Sequence, residues 1–445
     1  MKNLYKLLIC LLILACGSSE EDDVAPIINL PANISVNISS VSFDNTMVSQ
    51  SSIPKVVIIN TENTSSEITV TAPEGYEVSV NNTFSNSITF QPEVSNELYV
   101  RFVPQEPINY NSFLQISSDE ISNNINVNLF GLGTPLTFTY QAFNSQALGF
   151  GGGFNQSAYQ TFNLHEDLTN IKEIKMFLQI DCPSTGCDDW DRFANIKVKD
   201  QVTQNWYEIG RYITPYWVGT QQLSRGLEFD VTDFKSLLSG PTELMIYIEN
   251  WTAKADIISV EFDYVAGEPD YPYYAVSEIF NLHSNSISGI PYGVSHSVDL
   301  DKSVQMPSNY ESSHLRTIIS GWGHATPNDS DGRPCAEWCF RTHDVKINGA
   351  NTFQHNLSPI GCASNPVSNQ SPGNWQPDRA GWCPGMAVPV RVDELDPSLN
   401  GALFTFEYDL EDWTSNGNGG NAFYAISTYV VIKSDSEITA AIVQD

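Results

Sequence analysis

The chain has 445 residues, 52 of them acidic and 21 basic, for a formal net charge of −31. That balance excludes nucleic acid or an anionic membrane surface as a partner, because either would call for an excess of Lys and Arg. The length exceeds one ordinary core and predicts two to four domains at about 100–200 residues each.

In chain order, Lys2 and Lys6 precede an apolar run from Leu7 to Ala15. The run is too short to cross a bilayer and reads as a processing segment. Cys16 directly follows a small residue, which resembles the lipobox of bacterial lipoproteins, where the cysteine becomes the lipidated first residue. Residues 17–26 would then be an acidic tether, similar to the surface-export signals of Bacteroidetes lipoproteins. Leu14 departs from the lipobox pattern, so plain secretion is the alternative. The chain is expected to be an exported monomer, either an outer-membrane lipoprotein, surface-exposed if the tether acts as an export signal, whose only membrane link is that anchor, or a secreted protein.

Removal of the leader takes away Cys10 and lipidation uses Cys16, leaving Cys182, Cys187, Cys335, Cys339, Cys362 and Cys383. An even number in an exported chain argues for disulfides. Many connectivities are open, and the grouping favours the local pairs 182–187, 335–339 and 362–383. A metal site of Cys335, Cys339 and His343 is the weaker alternative, since the paired zinc-knuckle spacing is missing. No metal or cofactor is expected.

Residues 27–134 contain neither Trp nor Cys and carry alternating stretches such as "ITVTAPEGYEVSVNN" (68–82). They resemble immunoglobulin-like modules of abnormal-spindle and Hydin type and are expected to form a β-sandwich spacer or binding module. A Gly-rich link is expected at 148–153. Beyond it, "EIKMFLQI" (173–180), "ELMIYIENW" (243–251), "IISVEFDYV" (257–265), "ALFTFEYDL" (402–410) and "YAISTYVVIKS" (424–434) alternate with period two, as strands with one buried face do. The exception is a short helix predicted at 231–240, with Thr232 as its cap. A second boundary is expected at 267–276. Many short strands without alternating helices predict an all-β chain of sandwiches or jelly rolls.

Three acids stand beside aromatic residues: Asp191 in "CDDWDR", Glu249 in "YIENW" and Glu337 in "CAEWC". On a strand, Tyr247, Glu249 and Trp251 would share one face. An aromatic ring covers the apolar face of a pyranose while a carboxylate handles a hydroxyl or a proton, so the pattern points to carbohydrate chemistry. Arg192, Arg341 and Arg379 are cations that could pair with the acids. His324, near Trp322, reads as a structural histidine. The chain lacks a G-x-S-x-G elbow, an H-E-x-x-H motif, a P-loop and a dinucleotide fingerprint.

From residue 136 onward the sequence resembles the peptide-N-glycosidase F family. The resemblance rests on "CDDWDRFANIKVK" (187–199), "WYEIGRYITPYWVGT" (206–220), "RGLEFDVTDFKSLLSG" (225–240), "SGWGHATP" (320–327), "CAEWCFRTH" (335–343) and "NQSPGNWQPDRAGWCPGMAVP" (369–389). It implies two side-by-side eight-stranded antiparallel jelly rolls, 136–270 and 271–445, with a cleft between them. It implies catalytic roles for Asp191, Glu249 and Glu337. Substrate contacts would come from Arg192, Arg379, Trp251, Trp322, Trp338 and Trp382, and the three disulfides would be the local ones. The implied reaction is hydrolysis of the amide joining asparagine to the innermost N-acetylglucosamine of N-glycosylated proteins or peptides. The alternatives are an endo-β-N-acetylglucosaminidase and a non-catalytic glycan-binding lipoprotein. Asp189, in place of an expected Glu, and Pro334, in place of Gly, depart from the family pattern.

Overall fold

The protein is described by a computed structural model covering residues 30–282 and 289–444; the leader, Cys16 and the tether to residue 26 lie outside them. The described residues form 30 strands and three short 3-10 helices. The chain divides into two units between Thr134 and Pro135.

The first unit is a β-sandwich. One sheet has four antiparallel strands, in the order Asn33–Val36, Lys55–Glu62, Ser95–Phe102, Tyr76–Ser79. The other has six: Ser40–Ser42, Ile125–Thr134, Asn109–Ser117, Ile68–Thr71 and Ser87–Phe90, with Thr46–Met47 also against Ile125–Thr134. Both short strands run parallel to Ile125–Thr134. Alternate residues turn inward, among them Val57, Ile59, Val70, Val100, Leu114 and Val127, and close a core between the sheets.

The second unit holds two lobes of one topology. The first has eight principal strands: Thr137–Gln141, Ser157–Asn163, Ile171–Asp181, Phe193–Lys199, Trp206–Ile213, Leu227–Asp230, Pro241–Ile248 and Asp256–Ala266. Counted in chain order, strands 1-8-3-6 form one sheet and 2-7-4-5 the other. The second lobe repeats both orders with Tyr273–Leu282, Asp301–Gln305, Ser312–Ala325, Thr342–Ile347, Ala350–Asn356, Val390–Glu394, Leu403–Asp409 and Ala422–Ser434. This is the double Greek key of a jelly roll, twice, with short extra strands at the edges. The chain crosses between the lobes at residues 267–272.

The 2-7-4-5 sheet of the first lobe packs on the 1-8-3-6 sheet of the second. Phe193, Ile213, Met245 and Tyr247 meet Ile318, Trp322 and Ala425 in one apolar cluster. The central strands of both contacting sheets are therefore covered on both faces, while the edge strands Ser157–Asn163 and Val390–Glu394 stay partly exposed. Along 424–434 only Lys433 is not buried, and in Phe193–Lys199 and Trp206–Ile213 even Asn195, Lys197, Glu208 and Arg211 are buried. This corrects the expectation of one buried face for 243–251 and 424–434: the second face lies against the other lobe. Burying a charge is tolerated only with a partner, and Arg211 bonds Glu208 twice, at 3.0 and 2.7 Å. Its other donors reach Ser320 Oγ and the Ala425 carbonyl.

Two further expectations change. The helix at 231–240 is a 3-10 turn, Thr232–Leu237, with Val231 at the cap position and no side-chain cap bond. The Thr232 hydroxyl instead accepts the Ile174 amide at 3.0 Å, tying the turn to the neighbouring strand. The Gly-rich run at 148–153 is a loop inside the first lobe, between Gln146–Leu148 and Ser157–Asn163, rather than a link between domains.

Candidate active site

Asp191 sits two residues before the strand Phe193–Lys199, in a segment that backbone bonds hold rigidly. The Arg192 amide donates to Thr214 Oγ1 at 2.8 Å, the Thr214 amide to the Arg192 carbonyl at 3.0 Å, and the Thr214 hydroxyl to the Trp190 carbonyl at 3.2 Å. The Cys182–Cys187 disulfide closes the loop just upstream.

Glu337 comes from the second lobe. Cys335–Ala336 pairs with His324 and Ala325 at the end of the long strand Ser312–Ala325, and the Cys335–Cys339 disulfide closes a turn over Glu337 and Trp338. The Trp338 and Cys339 amides both donate to the Pro334 carbonyl, at 3.2 and 3.1 Å. Gly321 makes this approach possible, since a Cβ there would lie 2.3 Å from the Ala336 carbonyl oxygen.

Arg379 joins the two acids. Its Nη2 donates to Asp191 Oδ2 at 3.1 Å, and its Nε lies 3.4 Å from Glu337 Oε1, an ion pair rather than an aligned hydrogen bond. The same Nη2 meets the Tyr216 hydroxyl at 3.0 Å and the Asn374 carbonyl at 2.8 Å, while Nη1 donates to the Pro377 carbonyl. The guanidinium stacks 4.5 Å from the Trp338 ring centre and 5.1 Å from that of Trp382. Arg379 itself is fully buried, whereas the side chains of Asp191 and Glu337 keep 12% and 14% of their surface open. A ligand can therefore reach the carboxylates and not the cation between them.

Burial raises the Asp191 carboxyl above the ordinary aspartate range, with Arg379 opposing and Glu337 adding to the rise. Burial likewise pushes the Tyr216 phenol up, helped by Asp191, so it stays a neutral hydroxyl. His324 Nε2 lies 3.0 Å from Glu337 Oε2, and that hydrogen bond raises the imidazole above its usual value. More than half of the His324 side chain is exposed, which corrects its reading as a structural histidine.

The remaining expected residues divide by burial. Trp322 and Trp382 stack 4.5 Å apart in the interlobe cluster, and Trp382 has no exposed surface. Their indole nitrogens donate to Ser320 Oγ and the Gly321 carbonyl. Direct substrate contact by Trp382 is thus corrected: it supports Arg379 from below. Arg192 is engaged with the buried Asp188 at 2.5 Å, so its charge is already matched. Glu249 is buried one residue past the strand Pro241–Ile248, its amide bonded to the Phe193 carbonyl at 2.9 Å. The expected common face breaks there. Tyr247 enters the interlobe core, while Trp251 turns outward, half exposed, against Phe150 from the Gly-rich loop.

The metal alternative falls away at the sulfurs. Cys335 and Cys339 are bonded to each other, and His343 Nδ1 accepts the Glu411 amide. Cys362 and Cys383 lie near Asp378, but they too form a disulfide, and Asp378 accepts the Gly361 and Cys362 amides.

Fold and site together define a paired jelly-roll protein whose polar centre is assembled from both lobes around one buried arginine. Residues 292–431 match the family described as peptide-N-glycosidase F, C terminal. A peptide-N(4)-(N-acetyl-beta-D-glucosaminyl)asparagine amidase F of Elizabethkingia miricola is 57% identical over 307 residues, covering 69% of this chain and 87% of the relative. The solved structure of PNGase F, a glycosylasparaginase from Flavobacterium meningosepticum, is 56% identical, with a TM-score of 0.69 over 70% of this chain and all of that one. A structure of PNGF-II shares the fold at 12% identity, with a TM-score of 0.56 over 86% of this chain. The chain belongs to the peptide-N-glycosidase F family.

Proposed function

We infer that this chain is an amidase that hydrolyses the bond between the asparagine side chain and the innermost N-acetylglucosamine of N-glycosylated proteins or peptides. The products are an aspartate in the peptide and a glycosylamine. Membership of the family, at 57% identity to an amidase, supports the reaction. The observation that carries the site assignment is the single buried Arg379 shared by two partly open carboxylates from different lobes.

An amide carbon is a poor electrophile, so the attacking water needs a base or a firm orientation. Asp191 takes that role. Its raised pKa makes it a better proton acceptor than a solvated aspartate, and Arg379 and Tyr216 fix its direction. Glu337, directed by Arg379 and His324, holds the sugar or polarises the amide. Glu249 organises the wall beside Phe193, and Trp338 and Trp251 offer ring surface to the glycan. Arg192 and Trp322 act through Asp188 and through the Arg379 support, respectively.

The three disulfides fit an oxidising compartment. Export through the N-terminal leader, lipidation at Cys16 and a monomeric state belong to this proposal.

The test is mass spectrometry of an N-glycopeptide incubated with the protein in ¹⁸O-labelled water. Conversion of the glycosylated asparagine to ¹⁸O-aspartate is the expected result. A peptide retaining one N-acetylglucosamine would make the protein an endoglycosidase, and an intact substrate would make it a glycan-binding protein.

A further inference from the structure

The two sheets of the first unit differ in chemistry. The four-stranded sheet carries Lys55, Glu62, Glu77, Glu97 and Arg101, and Arg101 is paired with Glu77. None of the strands of the six-stranded sheet contains a single Asp, Glu, Lys or Arg. In a chain of net charge −31 such a face is out of character.

Its outward positions are amides and hydroxyls with two phenyl rings set among them. Phe113 and Phe130 are 47% and 42% exposed. The strand register places Phe113 opposite Asn128 and Phe130 opposite Asn111, so the two positions are diagonal neighbours on adjacent strands, their backbones about 7–8 Å apart. Asn111, Asn126 and Asn128 are exposed and Gln115 is partly so, and none of the four uses its side-chain amide in a hydrogen bond among the described residues. Strand propensity does not call for this pattern, since Asn is depleted in strands and an exposed Phe gains nothing from burial.

We infer that the outer face of this sheet, centred on Phe113 and Phe130, is a binding site for neutral oligosaccharide, here the glycan arms of the glycoproteins that the second unit acts on. The choice of glycoprotein rests on the amidase reading; the chemistry of the face stands without it. Phenyl rings cover the C–H faces of pyranoses, and side-chain amides supply paired donors and acceptors for hydroxyls. The absence of charge disfavours nucleic acid and acidic or basic peptides. Protein-binding centres draw on Trp, Tyr and Arg, which the strands supply only as the partly buried Tyr110. Occupation of this face would hold a multiply glycosylated substrate near the enzyme and raise its effective concentration.

The experiment uses the full chain. Calorimetric titration of the Asp191→Asn protein with a free mannose-rich N-glycan is compared with the same protein carrying Phe113→Ser and Phe130→Ser. The expected result is a second site per chain whose affinity falls about tenfold or more in the double variant, the scale of lost aromatic contacts, with unchanged melting temperature. In the active background, the double variant should keep its kcat/KM on a short glycopeptide and lose several-fold on a glycoprotein with many glycans. Equal titrations with and without the rings would overturn the inference. So would a concentration-dependent dimer that only the unsubstituted rings support, which would make the face a self-contact. If the amidase reading fails, glycopeptide turnover is absent while the ring-dependent titration persists, so the two failures are distinguishable.

Discussion

Arg211 and Arg379 are both buried between the lobes, and they do different things. Arg211 is fully enclosed, as is its single carboxylate partner Glu208, whose other bonds come from Asn195 Nδ2 at 3.2 Å and the Ser427 hydroxyl. Charges and hydrogen bonds there are closed against water, and the centre can only hold the lobes together. Arg379 is equally buried and also stacks on aromatic rings, but it divides one charge between two acids at longer range, and both acids are partly open. Burial of an ion pair therefore does not mark function. What sets the Arg379 centre apart is a fully buried cation shared by two acids that remain partly open.

The sharpest way to break the comparison is at the carboxylates. Asp191→Asn should cut the amidase rate about 100- to 10,000-fold, the usual contribution of a positioned base. It should leave the melting temperature at neutral pH unchanged or higher. The sign follows from the raised native pKa: ionising Asp191 in the folded state costs stability, and that cost appears as pH rises from the ordinary aspartate range through the native value. A variant that melts much earlier would make Asp191 a structural residue like Glu208.

At the enclosed centre the expectation reverses. Arg211→Met takes from the buried Glu208 its paired hydrogen bonds to the guanidinium and should cost about 3–5 kcal/mol in denaturant unfolding. The rate per folded molecule should barely change. Adding Glu208→Gln should restore much of the loss, and failure to restore it would show that Arg211 acts through Ser320 and Ala425 instead.

A smaller effect lies in the ring around Glu337. Replacing Cys335 and Cys339 with Ser opens a loop so short that its entropic contribution is about 2 kcal/mol. Activity should fall further than stability, because the ring fixes the entry of Glu337 and Trp338. Parallel losses, measured by kcat/KM and unfolding, would reduce the disulfide to a staple.

The smallest effect belongs to His324. Its raised pKa means that its attraction to Glu337 is complete below the ordinary histidine value of about 6.5 and is lost as pH rises through the native value. With the imidazole so exposed, the stability involved is a few tenths of a kcal/mol at most. His324→Gln should remove an inflection above the ordinary histidine range from the pH–rate profile, and an unchanged profile would disconnect His324 from the site.

Much of this organisation was legible in the sequence. Period-two alternation found the strands, and the combination of acid and indole pointed to Asp191 and Glu337, which the fold brings to one arginine, and to Glu249, which lies buried beside Phe193. What it missed depends on contacts between distant parts of the chain. Asp191 and Arg379 are 188 positions apart, so no local pattern reveals that one serves the other. The same cause hid the burial of Lys197, Glu208 and Arg211, whose alternation reads as a solvated face until a second lobe covers it. Tyr216 lay inside a quoted family motif, and only its hydroxyl at 3.0 Å from Arg379 distinguishes it from a core tyrosine. His324 reads as core in the sequence because it stands two residues from Trp322, yet its side chain is exposed.

The stacked Trp322 and Trp382 give the site an optical signature of its own. Two indoles 4.5 Å apart and nearly parallel, one of them directly beneath Arg379, should couple excitonically and emit at short wavelength. Near-ultraviolet dichroism and fluorescence could then follow rearrangement of the guanidinium during turnover without any added label.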